Sequence, residues 1–332
     1  MKQAKRAKIS YGIIGCGEAF RKHAEAIRKS KESVLAAVFD TVSRRAESAS
    51  KNYGCEKSAT VDAMLADHGI DAVVICTPHD THNDLVLRTI QAGKYAICEK
   101  PLVLSSREGR ALLQSRYYKQ NVITVFQTRF SPAARLLFRL LASGKIGKVL
   151  LCNVHVYKYR DGTYFSEEWR KDRARSGGML LSQGIHALDM LQLLCGSPKR
   201  IMAIRKNYRP RLKEVEDAYV AAVEFKNGAV GTVTVTTAAK HNRRAHSIFV
   251  AGSRGSMEIG GHAFEKIIHL DIPGVSAHLA GTSKRSDHEW FLSAVNDFIL
   301  RKKRDPLLPL AEDGIQAVAF VEELQHALDQ NR

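Results

Sequence analysis

The sequence predicts an α/β domain, a parallel sheet covered by helices on both faces, followed by an α+β domain built on an open, mostly antiparallel sheet. Three observations carry this expectation. Apolar runs and amphipathic segments alternate strictly from Ile9 to Phe126, the pattern of a parallel sheet whose crossovers are helices. After about residue 130 short alternating runs take over, separated by turn residues such as Lys226-Asn227-Gly228, as in antiparallel sheets. A glycine pair, Gly15-Cys16-Gly17, stands where the first strand should hand over to the first helix. The expected domains are residues 1–128 and 129–332, with the final helix free to pack back on the first.

The elements follow in order. Ile9 to Gly15 is an apolar strand candidate, and Ala19 to Ser30 has helical spacing through Phe20, His23, Ala24 and Ile27. Val34 to Phe39 is a second apolar run and Arg44 to Tyr53 a second helix. Asp71 to Cys76 is continuously apolar, as a strand buried on both faces should be. His82 to Ala92 predicts a helix stopped by Gly93, Tyr95 to Cys98 a strand, Arg107 to Gln120 a helix and Val122 to Phe126 a strand. In the second half, Lys148 to Tyr159, Asp217 to Phe225, Ala229 to Thr237, Ser247 to Ala251 and Ser256 to Gly260 predict strands. Leu180 to Leu194, Glu289 to Leu300 and Ala311 to Asn331 predict helices.

Composition narrows the class. Of 332 residues, 45% are hydrophobic and 26% charged, a globular balance that excludes disordered and fibrous chains. No apolar run approaches the ~18 residues that span a bilayer, and the basic start, Met1 to Lys8, leads into glycines rather than a cleavable apolar segment. A cytoplasmic protein is expected. The six cysteines form no C-x-x-C pair and read as reduced, buried thiols; no metal site is expected. Fifty-one basic against 34 acidic residues give a formal charge of +17, a field that draws anions. The charge is scattered through Arg170 to Arg175, Arg205 to Lys213, Lys240 to Arg244 and Arg301 to Arg304 without a nucleic-acid-binding signature. Small anionic molecules are therefore expected over nucleic acid.

Glycines after a first strand allow a tight turn and close approach of the backbone to a pyrophosphate, which the next helix's N-terminus attracts. Gly15, Gly17, Ala19 and Phe20 form this turn. Asp40 ends the second strand, where a carboxylate accepts hydrogen bonds from ribose hydroxyls and repels a 2′-phosphate. NAD is thus expected rather than NADP, although Arg44 and Arg45 lie close by. Phe20 departs from the usual third glycine and should move the helix slightly off the sheet.

Two further turns lie at strand C-termini, where ligands bind in such sheets. Glu99-Lys100-Pro101 follows one; proline extends the residue before it, aiming Lys100 over the sheet edge. Thr77-Pro78-His79 with His82 follows another and should meet the cofactor's middle, unless these residues merely cap the next helix. A third constellation runs from Gly177-Gly178 into a helix on which Ser182, His186 and Asp189 fall at i, i+4 and i+7 and share a face. Histidine suits proton abstraction from an alcohol near neutral pH.

Taken in order, these motifs resemble the glucose–fructose oxidoreductase, inositol dehydrogenase and rhizopine-catabolism family, Gfo/Idh/MocA. The matching pieces are Gly15-x-Gly17 with His23, Thr77-Pro78 with His82, Glu99-Lys100-Pro101, Gly177 to Asp189, Val215-Glu216-Asp217 and Gly252-x-x-Gly255. The resemblance implies a Rossmann domain, an α+β domain whose open sheet often forms subunit contacts, and hydride transfer with a nicotinamide cofactor. Lys100 and His186 correspond to its active-site lysine and histidine. Where many members carry aspartate, this chain has Ser182. Ser182-Gln183-Gly184-Ile185-His186 is similar to the segment of UDP-N-acetylglucosaminuronate 3-dehydrogenases, as are Tyr164-Phe165, Trp169-Arg170 and Gln127-x-Arg129-Phe130.

That subgroup implies cofactor contacts from Glu99, Lys100, Gln127, Trp169 and Arg170. It implies substrate contacts from Lys100, Arg129, Tyr164, Ser182, Gln183 and His186. Arg129 and Arg170 are candidates for the substrate's carboxylate or pyrophosphate, with a solvated basic face as the alternative. It also implies a homo-oligomer, dimer or tetramer, and NAD recycled by 2-oxoglutarate. His186 is expected to take the proton of the sugar's 3-hydroxyl while Lys100 holds the oxygen. Other readings stay open: a family enzyme acting on a cyclitol, hexose or other sugar nucleotide, an NAD-dependent glycosidase, and a basic nucleic-acid-binding protein.

Overall fold

The structure is a computed structural model and describes residues 8–209, 215–240, 245–280 and 284–328. Parts of the basic clusters Arg205 to Lys213 and Lys240 to Arg244, the basic start and the last residues of the expected final helix lie outside the described residues. The chain divides into two compact units: Met1–Val103 with Arg107–Gln127 and Arg285–Gly314, and Leu104–Ser106 with Thr128–Lys284 and Ile315–Arg332.

The first unit begins with β1 (Ile9–Ile14), α1 (Phe20–Lys29), β2 (Ser33–Phe39), α2 (Ser43–Tyr53), β3 (Glu56–Lys57), α3 (Val61–Ala66), β4 (Ala72–Ile75), α4 (His82–Gln91), β5 (Tyr95–Cys98), α5 (Ser106–Gln114) and β6 (Val122–Thr124). The strands form one six-stranded sheet in the order β3-β2-β1-β4-β5-β6. Every pairing is parallel. β4 is buried along its whole length, as the continuous Val-Val-Ile run requires of a strand covered on both faces. The order reverses between β1 and β4, and in such sheets the crevice outside the strands' carboxyl ends at that point binds ligands.

The second unit carries α6 (Pro132–Ala142), β7 (Val149–Tyr157), α7 (Arg173–Ser176), α8 (Ile185–Cys195), β8 (Pro198–Lys206), β9 (Ala218–Phe225), β10 (Val230–Thr236), β11 (Ala245–Gly252), β12 (Ser256–Gly261) and β13 (Lys266–Asp271). Its seven-stranded sheet runs β13-β12-β11-β7-β10-β9-β8. All pairs are antiparallel except β7 with β10. Cys152, Val154 and Val156 of β7 and Val233 and Val235 of β10 point into the core, while Met202, Ile204 and Val220 stay exposed.

The chain then returns to the first unit with α9 (Asp287–Arg301), opened by a capping box in which Ser286 and Glu289 satisfy each other's backbone N–H groups. α9 belongs there because of a buried polar network. Tyr11, fully buried in β1, donates its hydroxyl to Asn296 Oδ1 at 2.6 Å, and the Asn296 amide donates to Ser33 at 2.9 Å and Ser30 at 3.2 Å. The sequence reading placed this segment after residue 129 with the second domain; a helix's periodicity shows that it has a partner, not which one. α10 (Ala311–His326) follows, divided between the units at Gly314.

Several elements differ from expectation. Helix α5 ends at Gln114 rather than at Gln120, and Gln120 itself takes a positive φ of 56° outside any helix. β3, α3, α6, β8 and β13 were not anticipated: β3 has two residues and α3 six, too few for a periodic signal, and β8 is interrupted by charge. The expected helix Leu180 to Leu194 opens with a π-turn, Leu180–Gly184, before α8 begins. Among the described residues no helix is long and apolar enough to cross a membrane.

Candidate active site

In the first unit the backbone makes the site. Gly15 follows β1 with φ +93°, and a Cβ there would stand 2.6 Å from the Cys76 carbonyl oxygen, so only glycine fits. At Gly17 a Cβ would meet nothing within 4 Å: the turn faces open space. The first turn of α1 has no side-chain cap at Ala19 and no acidic residue, which leaves its N–H groups and positive dipole end for an anion. Asp40 accepts the Cys16 N–H through Oδ2 and the Val42 N–H through Oδ1, both at 2.7 Å, so its carboxylate is fixed beside the turn. Burial and the Asp40 charge push the Cys16 thiol up to about 12, keeping it neutral. A cavity of about 740 Å³ opens here, lined by Cys16, Gly17, Phe20, Arg44, Arg45 and Asn52 among others. Phe20 is buried and meets Tyr53 edge-on at 5.4 Å, so the bulky residue packs against α2. These features fit a dinucleotide.

The strand-end turns of this unit are tied to one another. His82 is fully buried, with Nδ1 2.7 Å from the Pro101 carbonyl and Nε2 2.9 Å from that of Thr77. It thus staples the Thr77 turn to the Lys100 turn. Burial lowers its pKa, against the pull of the two carbonyls. Thr77 shares a 2.6 Å hydroxyl bond with Thr81, Pro78 is half-buried, and the His79 ring lies 5.7 Å from that of His82. Glu99 Oε1 meets His23 Nε2 at 2.8 Å, and its Oε2 accepts the Lys100 N–H at 3.3 Å. Burial alone would raise its pKa, but the His23 bond and the charges of His23 and Lys100 outweigh that and hold it well below the usual carboxylate range. Glu99 is therefore a group that holds the Lys100 turn, whatever else it touches. His288, absent from the sequence reading, completes a trio whose ligand-type atoms lie within 4.8 Å of one another. Gln127, half-buried at the end of this unit, keeps a buried Oε1 with no hydrogen-bond donor in the structure, an acceptor suited to a cofactor amide or hydroxyl.

In the second unit side chains make the site. Gly177 and Gly178, with φ of +75° and +83°, turn the chain into the π-turn, a feature often found at functional sites. Ser182 is nearly buried and bonds the Met179 carbonyl at 3.4 Å. His186 opens α8 half-buried, its Nδ1 3.5 Å from the Thr128 hydroxyl. Asp189, one turn on, is buried and grips Arg129, whose Nε donates to its Oδ2 at 2.7 Å. Arg129, a candidate for the substrate, is a residue only 1% exposed, with its Nε and Nη2 on the Asp189 carboxylate. The spacing that put Asp189 on the His186 face did not reveal that a buried arginine would claim it.

Gln183 has a different company. Its Oε1 accepts from Arg160 Nε at 3.0 Å and Nη2 at 2.9 Å, and its amide donates to the Tyr164 hydroxyl at 2.7 Å. The Tyr164 ring lies 4.3 Å from the Arg160 guanidinium and 4.1 Å from that of Arg170. Trp169 donates its indole N–H to Glu167 at 2.7 Å and faces Arg170 at 5.2 Å. Thus Tyr164, Gln183 and Arg170 are brought together, and Arg160, which no motif singled out, joins them. Arg209 packs on Tyr159 and Phe165 with its charge 3.5 Å from Asp217.

Comparison with known proteins agrees with this geometry. Residues 9–127 match the family model described as an oxidoreductase family with an NAD-binding Rossmann fold. Residues 134–258 match that of the GFO/IDH/MocA C-terminal domain. The chain is 36% identical over 189 residues to inositol 2-dehydrogenase of Rhizobium meliloti, a match covering 57% of this chain and 55% of that enzyme. It is 28% identical over 315 residues to scyllo-inositol 2-dehydrogenase (NAD(+)) of Bacillus subtilis, covering 91% and 89%. Among solved structures, the WlbA dehydrogenase of Bordetella pertussis in complex with NADH and UDP-GlcNAcA superposes with a TM-score of 0.89 at 22% identity over 99% of this chain and 98% of that one.

Proposed function

Because the chain belongs to the GFO/IDH/MocA oxidoreductase family and carries its NAD-binding Rossmann domain, we propose that it is an NAD-dependent dehydrogenase of a sugar hydroxyl, its substrate a UDP-linked N-acetylhexosaminuronic acid oxidised at the 3-position. The observation that carries the substrate reading is the second unit's site: uncharged Ser182 and Gln183 beside His186, with two guanidinium groups around Tyr164. A site with two guanidinium groups and a serine rather than a carboxylate at position 182 suits an acidic sugar.

His186 takes the hydroxyl proton, its ring oriented by the Thr128 hydroxyl. Lys100 holds the same oxygen and stabilises the charge that develops on it. When bound, NAD supplies the hydride acceptor. Gly15, Gly17, Ala19 and Phe20 hold its pyrophosphate at α1, Asp40 its ribose hydroxyls, and Thr77, Pro78, His79, Gln127 and Trp169 the rest, with His82 buried behind them and tying two of these turns together. Six unpaired cysteines support a reducing compartment, the cytoplasm. The exposed sheet face with Met202, Ile204 and Val220 supports a homo-oligomer joined there.

The test mixes the purified protein, without added cofactor, with UDP-N-acetylglucosaminuronic acid and 2-oxoglutarate. Mass spectrometry should find a sugar nucleotide two hydrogens lighter and 2-hydroxyglutarate. Neither product, with NAD binding intact, would remove this substrate. A second reading, oxidation of a cyclitol, is favoured by the similarity to inositol 2-dehydrogenase. NADH formation from myo-inositol would select it.

A further inference from the structure

We propose that His23, Glu99 and His288 are the ligands of a structural site for a divalent transition-metal ion of the zinc class, which ties α1, the turn after β5 and α9 together beside Lys100. The site does not depend on which hydroxyl the enzyme oxidises. His23 stands near the start of α1, Glu99 directly follows β5, and His288 stands near the start of α9. All three belong to the first unit. His23 and His288 are buried and Glu99 nearly so. Each offers one ligand atom, and these atoms all lie within 4.8 Å of one another. His23 Nε2 is 2.8 Å from Glu99 Oε1, and the His288 ring meets that of His23 edge-on at 5.1 Å. Among the described residues no hydrogen bond holds either nitrogen of His288, although the ring is buried, where polar atoms are normally paired.

Two imidazoles and one carboxylate are a donor set that zinc accepts, with a fourth position left to water. Ligand atoms of a tetrahedral zinc stand about 3.3 Å apart. The His23–Glu99 pair is close to that spacing, and His288 reaches it by a small side-chain movement. The second oxygen of Glu99 accepts the Lys100 N–H at 3.3 Å, the kind of outer partner that orients a metal-binding carboxylate. The Glu99 side chain is 14% exposed, which gives the ion and its water a way in. Imidazole nitrogens select a transition ion over Mg²⁺ and Ca²⁺, which take oxygen ligands. Lys29 already bridges α1 to Glu289 of α9 at 2.9 Å, so the ion meets a framework that is in place. The charges of Lys22 and Lys100 reach this cluster and oppose a cation, so the expected affinity is micromolar rather than that of a closed four-ligand site. No sequence motif announces the site, because His23 and Glu99 are 76 residues apart and His288 is far beyond both.

Titration calorimetry on the full-length protein, stripped with a chelator and dialysed, would use Zn²⁺ and Mg²⁺ as probes. Zinc should bind at one ion per chain and magnesium should not bind. Zinc should also raise the thermal unfolding midpoint. His23→Gln and His288→Gln should each weaken zinc by roughly 100-fold or more, at or beyond the upper end of the 10- to 100-fold cost of losing an outer partner. His68→Gln, which changes an exposed histidine of the same unit, should leave the affinity unchanged. Co²⁺ in place of zinc should give the visible absorption of a four-coordinate ion in the wild type and lose it in His288→Gln. If a histidine variant does not fold, Glu99→Gln, which keeps the size and removes the charge, should show the same loss. A wild type that binds no zinc, or zinc binding that persists at the same affinity in the folded variants, overturns the site.

Discussion

The two units build binding surfaces from different material. In the first, the cradle is backbone: a glycine turn, the uncapped N–H groups of α1, and a carboxylate locked by two N–H bonds. In the second, the polar surface is made of side chains drawn from β7's end, the loop around Tyr164 and the π-turn. The buried polar groups follow the same divide. The first unit seats α9 on a neutral Tyr–Asn–Ser network, whereas the second closes its core around an Arg–Asp ion pair. A backbone cradle recognises what many ligands share, a pyrophosphate; side chains recognise what one ligand has alone. On the proposed reading, the same chain belongs plainly to a family and leaves the choice of substrate to its second unit.

The contrast should break hardest at the chemistry. His186→Ala or Lys100→Ala should lower kcat by roughly 10²–10⁴ if each has the proposed role, with NAD affinity, measured by fluorescence, unchanged in His186→Ala. Unchanged turnover would leave either residue as scaffolding. Next comes the ion pair. Arg129→Met strands a buried carboxylate and should cost about 3–5 kcal/mol in urea unfolding. A folded, stable variant with a raised KM would return Arg129 to the substrate.

Acid should strain both units. Burial pulls His246 of the second unit down to about 4 and His288 of the first down to about 3, from an ordinary 6.5. Below pH 6.5 the unfolded chain takes a proton on each that the native protein refuses until pH falls to those values. Stability contributed by the neutral rings is therefore complete above pH 6.5 and is lost as pH falls, by roughly 1.4 kcal/mol per pH unit for each histidine. Unfolding midpoints at pH 6.5 and 4.5 test this, and His288→Gln or His246→Gln should each flatten the slope. A midpoint independent of pH in that window contradicts the burial of both rings.

The smallest effect should come from Gly15→Ala. A methyl 2.6 Å from a carbonyl, on a backbone of φ +93°, should cost about 1–3 kcal/mol of stability and weaken NAD more than it weakens the sugar. Equal weakening of both would mean the turn is scaffold for the whole chain rather than cofactor cradle.

Much of the first unit was legible because its signals are local. Gly15, Gly17 and Asp40 sit at fixed offsets from strands that are continuously apolar, and each needs its residue type for a reason of backbone geometry. Less of the second unit could be read. Arg129, Arg160 and Arg170 look alike in a chain with 51 basic residues; only the fold showed that one closes on Asp189 while another lies beside Gln183. His288 escaped notice because it joins Glu99 across nearly 200 intervening residues. The π-turn escaped because one extra residue in a single turn shifts the apolar spacing too little to be told from a plain helix over so short a segment.

By itself, then, the sequence determined the order and type of most elements, the parallel and antiparallel halves, the cofactor turn and the histidine and lysine proposed for catalysis. Hydrophobic period, glycine placement and strand ends are properties of short stretches of chain. Tertiary structure decided the return of α9 to the first unit, the partner of Asp189 and the company of Gln183. Each is a choice among chemically equivalent side chains, made by which of them the packed core brings within hydrogen-bonding distance.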